Sequence, residues 1–515
     1  MHFSPAFKTS QNCLPSPDGS LLASLTFPSP TSAVVAFRDT DALQTISTVK
    51  IAQEASNPVS GLAWSPNSKR ILVSRADQVR VYNVEDATLH AVVRNAGSGG
   101  GKPTFIHFGA TDNEVVVFSA FGMKLSVFDL TSSKAVEIAN PKFYHPLSAA
   151  KSYAFNSRSA HMAVLTRSAG RDALSIHEPH TREVTRSWFP ETVDAAGLLW
   201  TPDGQWILIW ESPAHGHRLL LHTPDGQLFR TLDSSRLCID VNGSLQPGIR
   251  ACLTSFDGRR CMVGDHSRSV TVLDTVNWRV AMTLNHPISV TPVETLQLWQ
   301  EQIGKSLDGP GTHEFVRATQ TISPDSTASQ AKSTSDLRAG CSLASFDASS
   351  DLLATRLDES PCTVWIWDVA SAELRAVLMF HSTVAFLWHP SIRELLLITS
   401  QDEAYRGLSY VWDPLSEGPR CMSLGEQLPG KKTQGKPQAV WLNWSQEAPA
   451  VFLSDASHYV LSVVSDSLPY PQAWQLDDQG GSLPGSITKG DVPLLDGPDD
   501  DDHSTLEDTF SFKHG

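Results

Sequence analysis

The stretch VSGLAWSPNSKRILVSRADQVRVYNVEDATLHAVV, from Val59 to Val93, decides the fold of this chain. It contains four apolar runs of strand length, and each run is bounded by turn residues. The first run ends in an aromatic residue followed by Ser-Pro. The stretch therefore predicts a unit of four short strands that fold back on one another.

The unit recurs along the chain, and two independent series of positions count its copies. An aromatic residue ends the first strand at Trp64, Phe108, Phe155, Trp200, Phe346, Trp388 and Trp444, with Pro15 and Thr254 in the same place in two degenerate copies. The third strands begin at Val34, Val79, Leu125, Leu174, Leu219, Val270, Val364, Ser409 and Tyr459. Both series count nine units, most of them spaced by about 45 residues.

Four-stranded repeats of this length are typical of WD-type β-propeller blades. Trp367-Asp368 and Trp412-Asp413 are true WD dipeptides, and Phe128-Asp129 and Leu273-Asp274 are relaxed versions. A single small sheet cannot bury both of its faces, so successive sheets stack around an axis. The sequence predicts an all-β WD-repeat β-propeller over residues 1–476, one ring of about nine four-stranded blades. Eight blades plus one divergent unit are the alternative.

Two segments lie outside the repeat pattern. Residues 298–337 are rich in Ser and Thr and predict a mobile loop between blades six and seven. Deletion of Gly304 to Asp336 is therefore expected to leave folding intact. Residues 477–515 are acidic and rich in Gly and Pro, and they predict a disordered tail. The segment Met1 to Ser10 is placed to add a strand to the last blade.

Composition restricts the classes of partner. The 515 residues include 55 acidic and 40 basic side chains, and the net charge of −15 argues against nucleic acid, which requires concentrated Lys and Arg. Seven scattered cysteines without a C-x-x-C pair favour a reducing compartment. The N-terminus does not resemble a signal peptide, and no apolar run is long enough for a membrane span. We expect a cytoplasmic protein that binds neither nucleic acid nor membrane.

Several patterns that could carry chemistry have a structural interpretation that is favoured. The Asp-Gly pairs at Asp18, Asp203, Asp225 and Asp257 indicate tight turns, and Asp77 and Asp265 are expected to brace loops. The segment Ala96–Thr104 departs from a phosphate-binding loop at Ala96 and Pro103 and is interpreted as a linker. His215 and His217 are expected at a solvated hairpin tip. The sequence predicts no catalytic, cofactor-binding or metal-binding residues.

Three charged or modifiable features are less decisive. Lys431, Lys432 and Lys436 form a small basic cluster that is either solubilising or a contact for a partner or a microtubule. The run Asp499 to Asp502 is expected to be a solvated row of carboxylates rather than a cation site. Ser323-Pro324 fits either a proline-directed kinase site or a structural turn.

With the blades in register, the chain resembles the spindle-pole and centrosomal WD-repeat proteins of fungi and animals that pair with a coiled-coil anchoring factor. The resemblance runs through residues 1–476, and this chain is identified as a fungal member. It rests on four features: FSPAFKTS with SPDGSLLAS near the N-terminus, LLWTPDGQWILIWESPAHGHRLLLHTPDGQLFRTL from Leu198, VLDTVNWRVAMTLNHP from Val272, and LLATRLDESPCTVWIWDV from Leu352.

The resemblance implies a non-enzymatic scaffold at the spindle pole body or centrosome that anchors microtubule minus ends. Its implied partners are a coiled-coil spindle-anchoring protein, a minus-end-directed kinesin and, indirectly, the gamma-tubulin complex or microtubules. The alternative is a nine-bladed scaffold in translation initiation that binds the ribosome. A ribosome-binding protein should carry a basic extension, whereas the extension here is acidic.

Overall fold

The structure is a computed structural model that describes residues 1–52, 57–94, 105–118, 123–142, 152–233, 248–304, 311–324, 340–430, 432–442, 448–464 and 474. The chain divides into two compact units. The first comprises Met1–Ile138, Trp444–Phe452 and Ala456–Gly515, and the second comprises Ala139–Asn443 and Leu453–Asp455.

The described strands form the nine sheets of a nine-bladed β-propeller, which confirms the predicted fold class. Two N-terminal strands come first in the chain, β1 (His2–Phe3) and β2 (Phe7–Lys8). Blades one to three follow in the first unit, with strands β3 (Cys13–Pro15), β4 (Leu21–Ser29), β5 (Ser32–Asp39), β6 (Thr45–Ala52), β7 (Gly61–Trp64), β8 (Arg70–Ser74), β9 (Gln78–Asn83), β10 (Leu89–Arg94), β11 (Phe105–Phe108), β12 (Glu114–Phe118), β13 (Lys124–Asp129) and β14 (Lys134–Ala139).

Blades four to six lie in the second unit, and each is again a four-stranded sheet in chain order. Their strands are β15 (Tyr153–Phe155), β16 (Met162–Ser168), β17 (Arg171–His177), β18 (Val184–Trp188), β19 (Ala195–Trp200), β20 (Ile207–Glu211), β21 (Arg218–His222), β22 (Leu228–Asp233), β23 (Ile249–Thr254), β24 (Arg260–Asp265), β25 (Ser269–Asp274) and β26 (Arg279–Asn285). A short 3₁₀ turn at Pro213–His215 connects β20 to β21.

The remaining strands form blades seven, eight and nine. They are β27 (Gln297–Gly304), β28 (Thr312–Arg317), β29 (Cys341–Phe346), β30 (Leu352–Leu357), β31 (Ser360–Asp368), β32 (Glu373–Met379), β33 (Val384–Trp388), β34 (Leu396–Ser400), β35 (Leu408–Trp412), β36 (Arg420–Ser423), β37 (Gln438–Leu442), β38 (Ala450–Ser454) and β39 (His458–Val463). The helical segments here are a 3₁₀ turn at Glu403–Tyr405 and the one-turn helix α1 (Leu424–Gln427).

The N-terminal segment completes the ninth sheet, as the sequence predicts. β1 and β2 both pair antiparallel with β39, with His2 opposite Val463 and Phe7 opposite Tyr459. The order of this sheet is β1-β39-β38-β37. The Phe7 ring stacks on the Tyr459 ring at 5.3 Å between centroids. The last blade is therefore assembled from both ends of the described sequence.

The prediction of a loop over residues 298–337 is wrong for the first part of that range. β27 and β28 form an antiparallel hairpin, and β27 pairs in parallel with β32, so blade seven has six strands in the order β28-β27-β32-β31-β30-β29. The polar composition concealed a strand pair in which Leu298, Glu301 and Phe315 are covered, while Gln300, Gln302, Glu314 and Val316 are exposed. Residues 305–310 and 325–339, like the linker 95–104 and the tail from 475 onward, lie outside the described residues.

Apolar side chains of neighbouring blades pack together and form the core. One cluster joins blades one and two through Val35, Phe37, Ile71 and Val73, and another joins blades seven and eight through Ile366, Leu378, Phe386 and Trp412. The central strands are buried on both faces, whereas outer strands such as β18 are mostly exposed. Strands that face a neighbour on either side thus show continuous apolar runs, and outer strands tolerate polar residues.

The four Asp-Gly pairs lie in tight turns, as predicted. Gly19, Gly204, Gly226 and Gly258 all adopt positive φ angles between 71° and 94°. The preceding aspartates accept hydrogen bonds inside their own turns; the Asp203 carboxylate, for example, accepts from the Thr201 hydroxyl at 2.5 Å and the Gln205 amide at 3.1 Å. These carboxylates stabilise reversals of the chain.

Candidate interaction site

Two of the predicted blade markers bond directly to the neighbouring blade. Trp64, Phe108, Phe155, Trp200, Phe346 and Trp388 each end the first strand of a blade, whereas Trp444 lies outside the described residues. The Trp64 indole N–H donates to the Leu14 carbonyl of blade one at 3.0 Å, and Trp388 donates to Ser345 of blade seven at 2.8 Å. This bond ties the first strand of one blade to the first strand of the blade before it.

Trp441 makes the same bond for blade nine, and sequence reasoning did not single it out. Its indole N–H donates to the Leu387 carbonyl at 3.0 Å, one residue before the marker Trp388. Leu14 and Ser345 likewise precede Pro15 and Phe346 by one residue, so the geometry is repeated. The signal available in the sequence was ambiguous because two tryptophans stand three residues apart.

Removal of the inter-blade hydrogen bond is expected to cost measurable stability. Trp388→Phe keeps an aromatic ring but leaves the Ser345 carbonyl without its donor, at a cost of about 1–2 kcal/mol beyond the volume change. Trp200→Phe is the matched control because the buried Trp200 Nε1 has no hydrogen-bond partner among the described residues. Urea unfolding of both variants measures the difference. Equal destabilisation of the two variants would contradict a role for the bond.

The two WD dipeptides have different surroundings. The Trp367 indole donates to the Thr355 hydroxyl at 3.1 Å, and that hydroxyl also contacts His286 Nε2 at 2.8 Å. Trp412 is fully buried against Trp388, and its indole N–H has no partner in the described part of the chain. Asp368 and Asp413 accept backbone N–H groups of their own turns, from Ala370 at 2.8 Å and Leu415 at 2.9 Å respectively. Both dipeptides are thus structural.

His286 is expected to make stability depend on pH. Burial, with a smaller effect from the Arg268 charge, lowers its pKa from 6.5 to about 4. Below pH 6.5 the unfolded chain binds a proton at this site and the folded chain does not, so stability falls as pH drops from 6.5 to 4, by on the order of 3 kcal/mol. Urea midpoints across this range should shift less in His286→Gln than in the parent chain. His180→Gln, at an exposed position, is the control and should keep the pH dependence of the parent chain. If His286→Gln showed that same pH dependence, His286 would not be its source.

The histidines and the loop aspartates that the sequence singled out have structural surroundings. His215 is exposed, but the expectation of a solvated tip is wrong for His217, which is 3% exposed, and burial lowers its pKa. Asp265 accepts from the Ser267 amide and hydroxyl and Asp77 accepts from the Asn57 amide, so both brace loops as predicted.

The basic cluster lies in surroundings of mixed charge. Lys436 lines an open groove beside blade eight together with Asp402, Glu403 and Arg406, so the groove has mixed charge. Lys431 and the run Asp499 to Asp502 lie outside the described residues. In the part of the chain that the structure describes, no cluster of three His, Cys, Asp or Glu side chains is arranged to hold a metal ion. No helix among the same residues is long and apolar enough to cross a membrane.

The hairpin β27–β28 supplies a buried polar centre that the sequence did not reveal. The Glu301 carboxylate is almost fully buried and accepts from His313 Nδ1 at 2.6 Å, from the Tyr410 hydroxyl at 2.6 Å and from the His381 amide at 2.7 Å. Burial and the Glu301 hydrogen bond raise the pKa of Tyr410. Phe315 packs edge-on against Tyr410 and Phe380 beside this centre. The hairpin is thereby fixed to blades seven and eight.

Comparisons with known proteins agree with the repeat architecture. The mouse protein named WD repeat-containing protein WRAP73 is 24% identical over 481 residues, which cover 90% of this chain and 95% of that protein. An uncharacterized WD repeat-containing protein of Schizosaccharomyces pombe is 22% identical over 406 residues, covering 77% of each chain. No protein-family model matches the sequence.

Solved structures with a similar backbone include that of a eukaryotic initiation factor, with a TM-score of 0.49 and 11% sequence identity. The similarity covers 81% of this chain and 87% of that chain. The C-terminal WD40 domain of Sif2 is similar at a TM-score of 0.40 and 11% identity over 82% and 98% of the two chains. At the level of sequence, the chain has WD repeat-containing proteins as distant homologues.

Proposed function

We propose that this chain is a non-enzymatic scaffold at the spindle pole body or centrosome. In this role it holds a coiled-coil spindle-anchoring protein and a minus-end-directed kinesin, and it thereby anchors microtubule minus ends. The expected location is the cytoplasmic microtubule-organising centre. A propeller suits such a role because its sheets are rigid and its turns present a broad surface for docking.

The observation that carries the proposal is the extent of the similarity to the mouse WD repeat-containing protein. The alignment covers 90% of this chain and 95% of the relative, so it includes the whole repeat arrangement rather than one common repeat. The segments at residues 3–24, from Leu198, from Val272 and from Leu352, which resemble the spindle-pole group, all lie in this repeat region. The spindle-pole location itself rests on that resemblance.

The surroundings of the buried polar groups support a structural rather than a chemical use of these side chains. Both oxygens of Glu301 accept hydrogen bonds from the fold itself. Asp172 accepts from Lys142 at 2.7 Å, from the Thr192 hydroxyl at 2.9 Å and from the Ala195 amide at 2.7 Å. A carboxylate whose lone pairs are occupied in this way stabilises the fold and is poorly placed to act as a general base.

Affinity purification of the full chain from mitotic cells, followed by cross-linking mass spectrometry, tests the proposal. The expected result is stoichiometric recovery of a protein with long heptad repeats, together with a kinesin motor. A parallel sucrose gradient tests the alternative role in translation. Sedimentation of the chain with ribosomal subunits, without recovery of a heptad-repeat protein, would refute the scaffold at the microtubule-organising centre.

A further inference from the structure

The outer strands of the blades share a local irregularity that re-aims one side chain. In six blades the pairing between the third and fourth strands shifts register by one residue, which leaves an extra residue in the fourth strand. Such bulges turn a side chain away from the regular sheet. The bulged residues are Ile46, His90, Thr185, Phe229, Ala281 and Arg375.

Phe229, the bulged residue of blade five, is aromatic and 53% exposed. Its ring lies 4.7 Å from the Trp206 ring, which in turn contacts the buried Trp278 at 6.2 Å between centroids. Trp206 also packs against the apolar cluster that joins blades five and six. The exposed ring therefore rests on a rigid base and loses little conformational freedom when a partner binds.

Further exposed apolar side chains lie on β22 of blade five and on the turns of blade six. Leu228, Phe256 and Val276 are 37%, 62% and 86% exposed. We call these three side chains, with Trp206 and Phe229, the blade 5–6 aromatic patch.

Hydrogen bonds and packing hold the turns of the patch together. The Arg230 guanidinium donates to the Asn277 carbonyl at 2.9 Å, and the Thr275 hydroxyl donates to the Gly258 carbonyl at 2.6 Å. A methyl group placed on Gly258 would lie 3.9 Å from the Pro202 side chain, so the first turns of blades five and six are adjacent. The turns that carry the patch side chains are thus adjacent, and they belong to two blades of the same compact unit.

The charges around the patch favour an acidic partner. The Arg259 side chain is 82% exposed, and its closest carboxylate contact is a loose 3.9 Å approach to Asp257. Arg279 is exposed, and the Arg230 guanidinium lies over the Phe229 ring at 5.6 Å. The nearby Asp257 carboxylate accepts from the Ser255 hydroxyl and the Arg259 amide within its own turn. Asp225 and Asp257 are exposed as well, but both carboxylates accept hydrogen bonds inside their own turns, whereas Arg259 and Arg279 are exposed without a hydrogen-bonded carboxylate among the described residues.

We propose that the blade 5–6 aromatic patch is the docking surface for an amphipathic helix whose apolar stripe is flanked by acidic residues. A coiled-coil segment has this chemistry, because apolar a and d positions lie beside charged e and g positions. Exposed aromatic side chains next to arginines are also the residue types that dominate interface energetics. The inference rests on the proposed function and specifies which surface of the scaffold holds the coiled-coil partner.

Site-specific photo-cross-linking in dividing cells tests the proposal. A photoreactive benzoylphenylalanine is introduced at position 229 and, as the matched control, at position 46, where Ile46 occupies the same bulge in blade one and is 56% exposed. The expected result is a cross-link from position 229, absent from position 46, to an acidic heptad-repeat segment. A cross-link to a second copy of this chain, to lipid or to a basic protein, or no cross-link, would overturn the proposal.

Quantitative capture of the heptad-repeat protein then separates this inference from the proposed function. Phe229→Ser is expected to lower capture by the full chain at least about tenfold. Arg259→Glu is expected to lower capture as well, and the loss should be larger at low salt than at high salt because salt screens the charge. Ile46→Ser should leave capture unchanged. Because all three side chains are exposed, the thermal midpoints should match the parent chain. Normal capture by Phe229→Ser would overturn the patch while leaving the scaffold role intact. Failure of the parent chain to recover any heptad-repeat protein would contradict the proposed function itself.

Discussion

Replacement of Glu301 by Ala is expected to lower the free energy of unfolding by about 3–5 kcal/mol, because it leaves buried donors without their acceptor. The His313 ring, the Tyr410 hydroxyl and the His381 amide all donate to this one carboxylate. Water cannot replace the acceptor without opening the contact between the hairpin and blade eight. Urea unfolding followed by far-UV circular dichroism measures this loss.

Two further variants separate the polar centre from general effects of charge. Glu403→Ala removes a carboxylate that is 87% exposed and whose 3.0 Å ion pair with Arg406 is open to solvent, so we expect the free energy of unfolding to change by no more than about 0.5 kcal/mol. Glu301→Gln preserves the shape of the side chain and one acceptor oxygen. Its free energy of unfolding should therefore lie between those of Glu301→Ala and Glu403→Ala. If Glu301→Ala were as stable as Glu403→Ala, the hairpin would not be fixed by this centre.

Deletion of Gly304 to Asp336, expected from the sequence alone to be harmless, should destabilise the chain because it removes β28.

Gly340→Ala is the second substitution for which we expect a large effect, of about 3 kcal/mol or more. Gly340 has a φ of +90°, and a methyl group there would meet the Asp265 carbonyl oxygen and approach the His266 Cα to 2.6 Å. Both neighbours are backbone atoms of blade six, so neither can move aside cheaply. The Gly340 amide also donates to Glu359 at 2.9 Å, and a shift of the backbone would lengthen that bond.

Gly170→Ala separates the steric clash from the unfavourable backbone conformation. Gly170 has a similar φ of +78°, but a methyl group there meets no atom within 4 Å. The control should therefore cost only about 1–2 kcal/mol from the left-handed conformation. Thermal unfolding of the two variants measures the difference. Equal losses would show that blades six and seven are packed less closely at Gly340 than the structure indicates.

The blade count could be predicted from the sequence because each third strand is buried on both faces and reads as an apolar run. Val270, Val364 and Ser409 mark strands that the structure places as predicted. The turns were equally predictable, since an aspartate followed by glycine encodes both the bracing carboxylate and the positive φ. These signals are local, and each depends on a few neighbouring residues.

The hairpin and the aromatic patch could not be predicted because both depend on contacts between distant segments. Glu301 is a polar residue in a polar stretch, and it meets Tyr410, 109 positions later, only in the folded chain. Phe229 is one apolar residue in an outer strand, and its importance comes from Trp206 beneath it and Arg230 beside it. In blade nine, spacing alone did not distinguish Trp441 from Trp444.

Imaging of the full chain in dividing cells tests the central claim, that this propeller acts as a scaffold at the microtubule-organising centre. The chain carries a fluorescent protein and is expressed at its normal level beside a marked gamma-tubulin. We expect two compact foci that coincide with gamma-tubulin at the spindle poles and that disperse when the heptad-repeat partner is depleted. A diffuse cytoplasmic signal in mitosis, unchanged by that depletion, would contradict it.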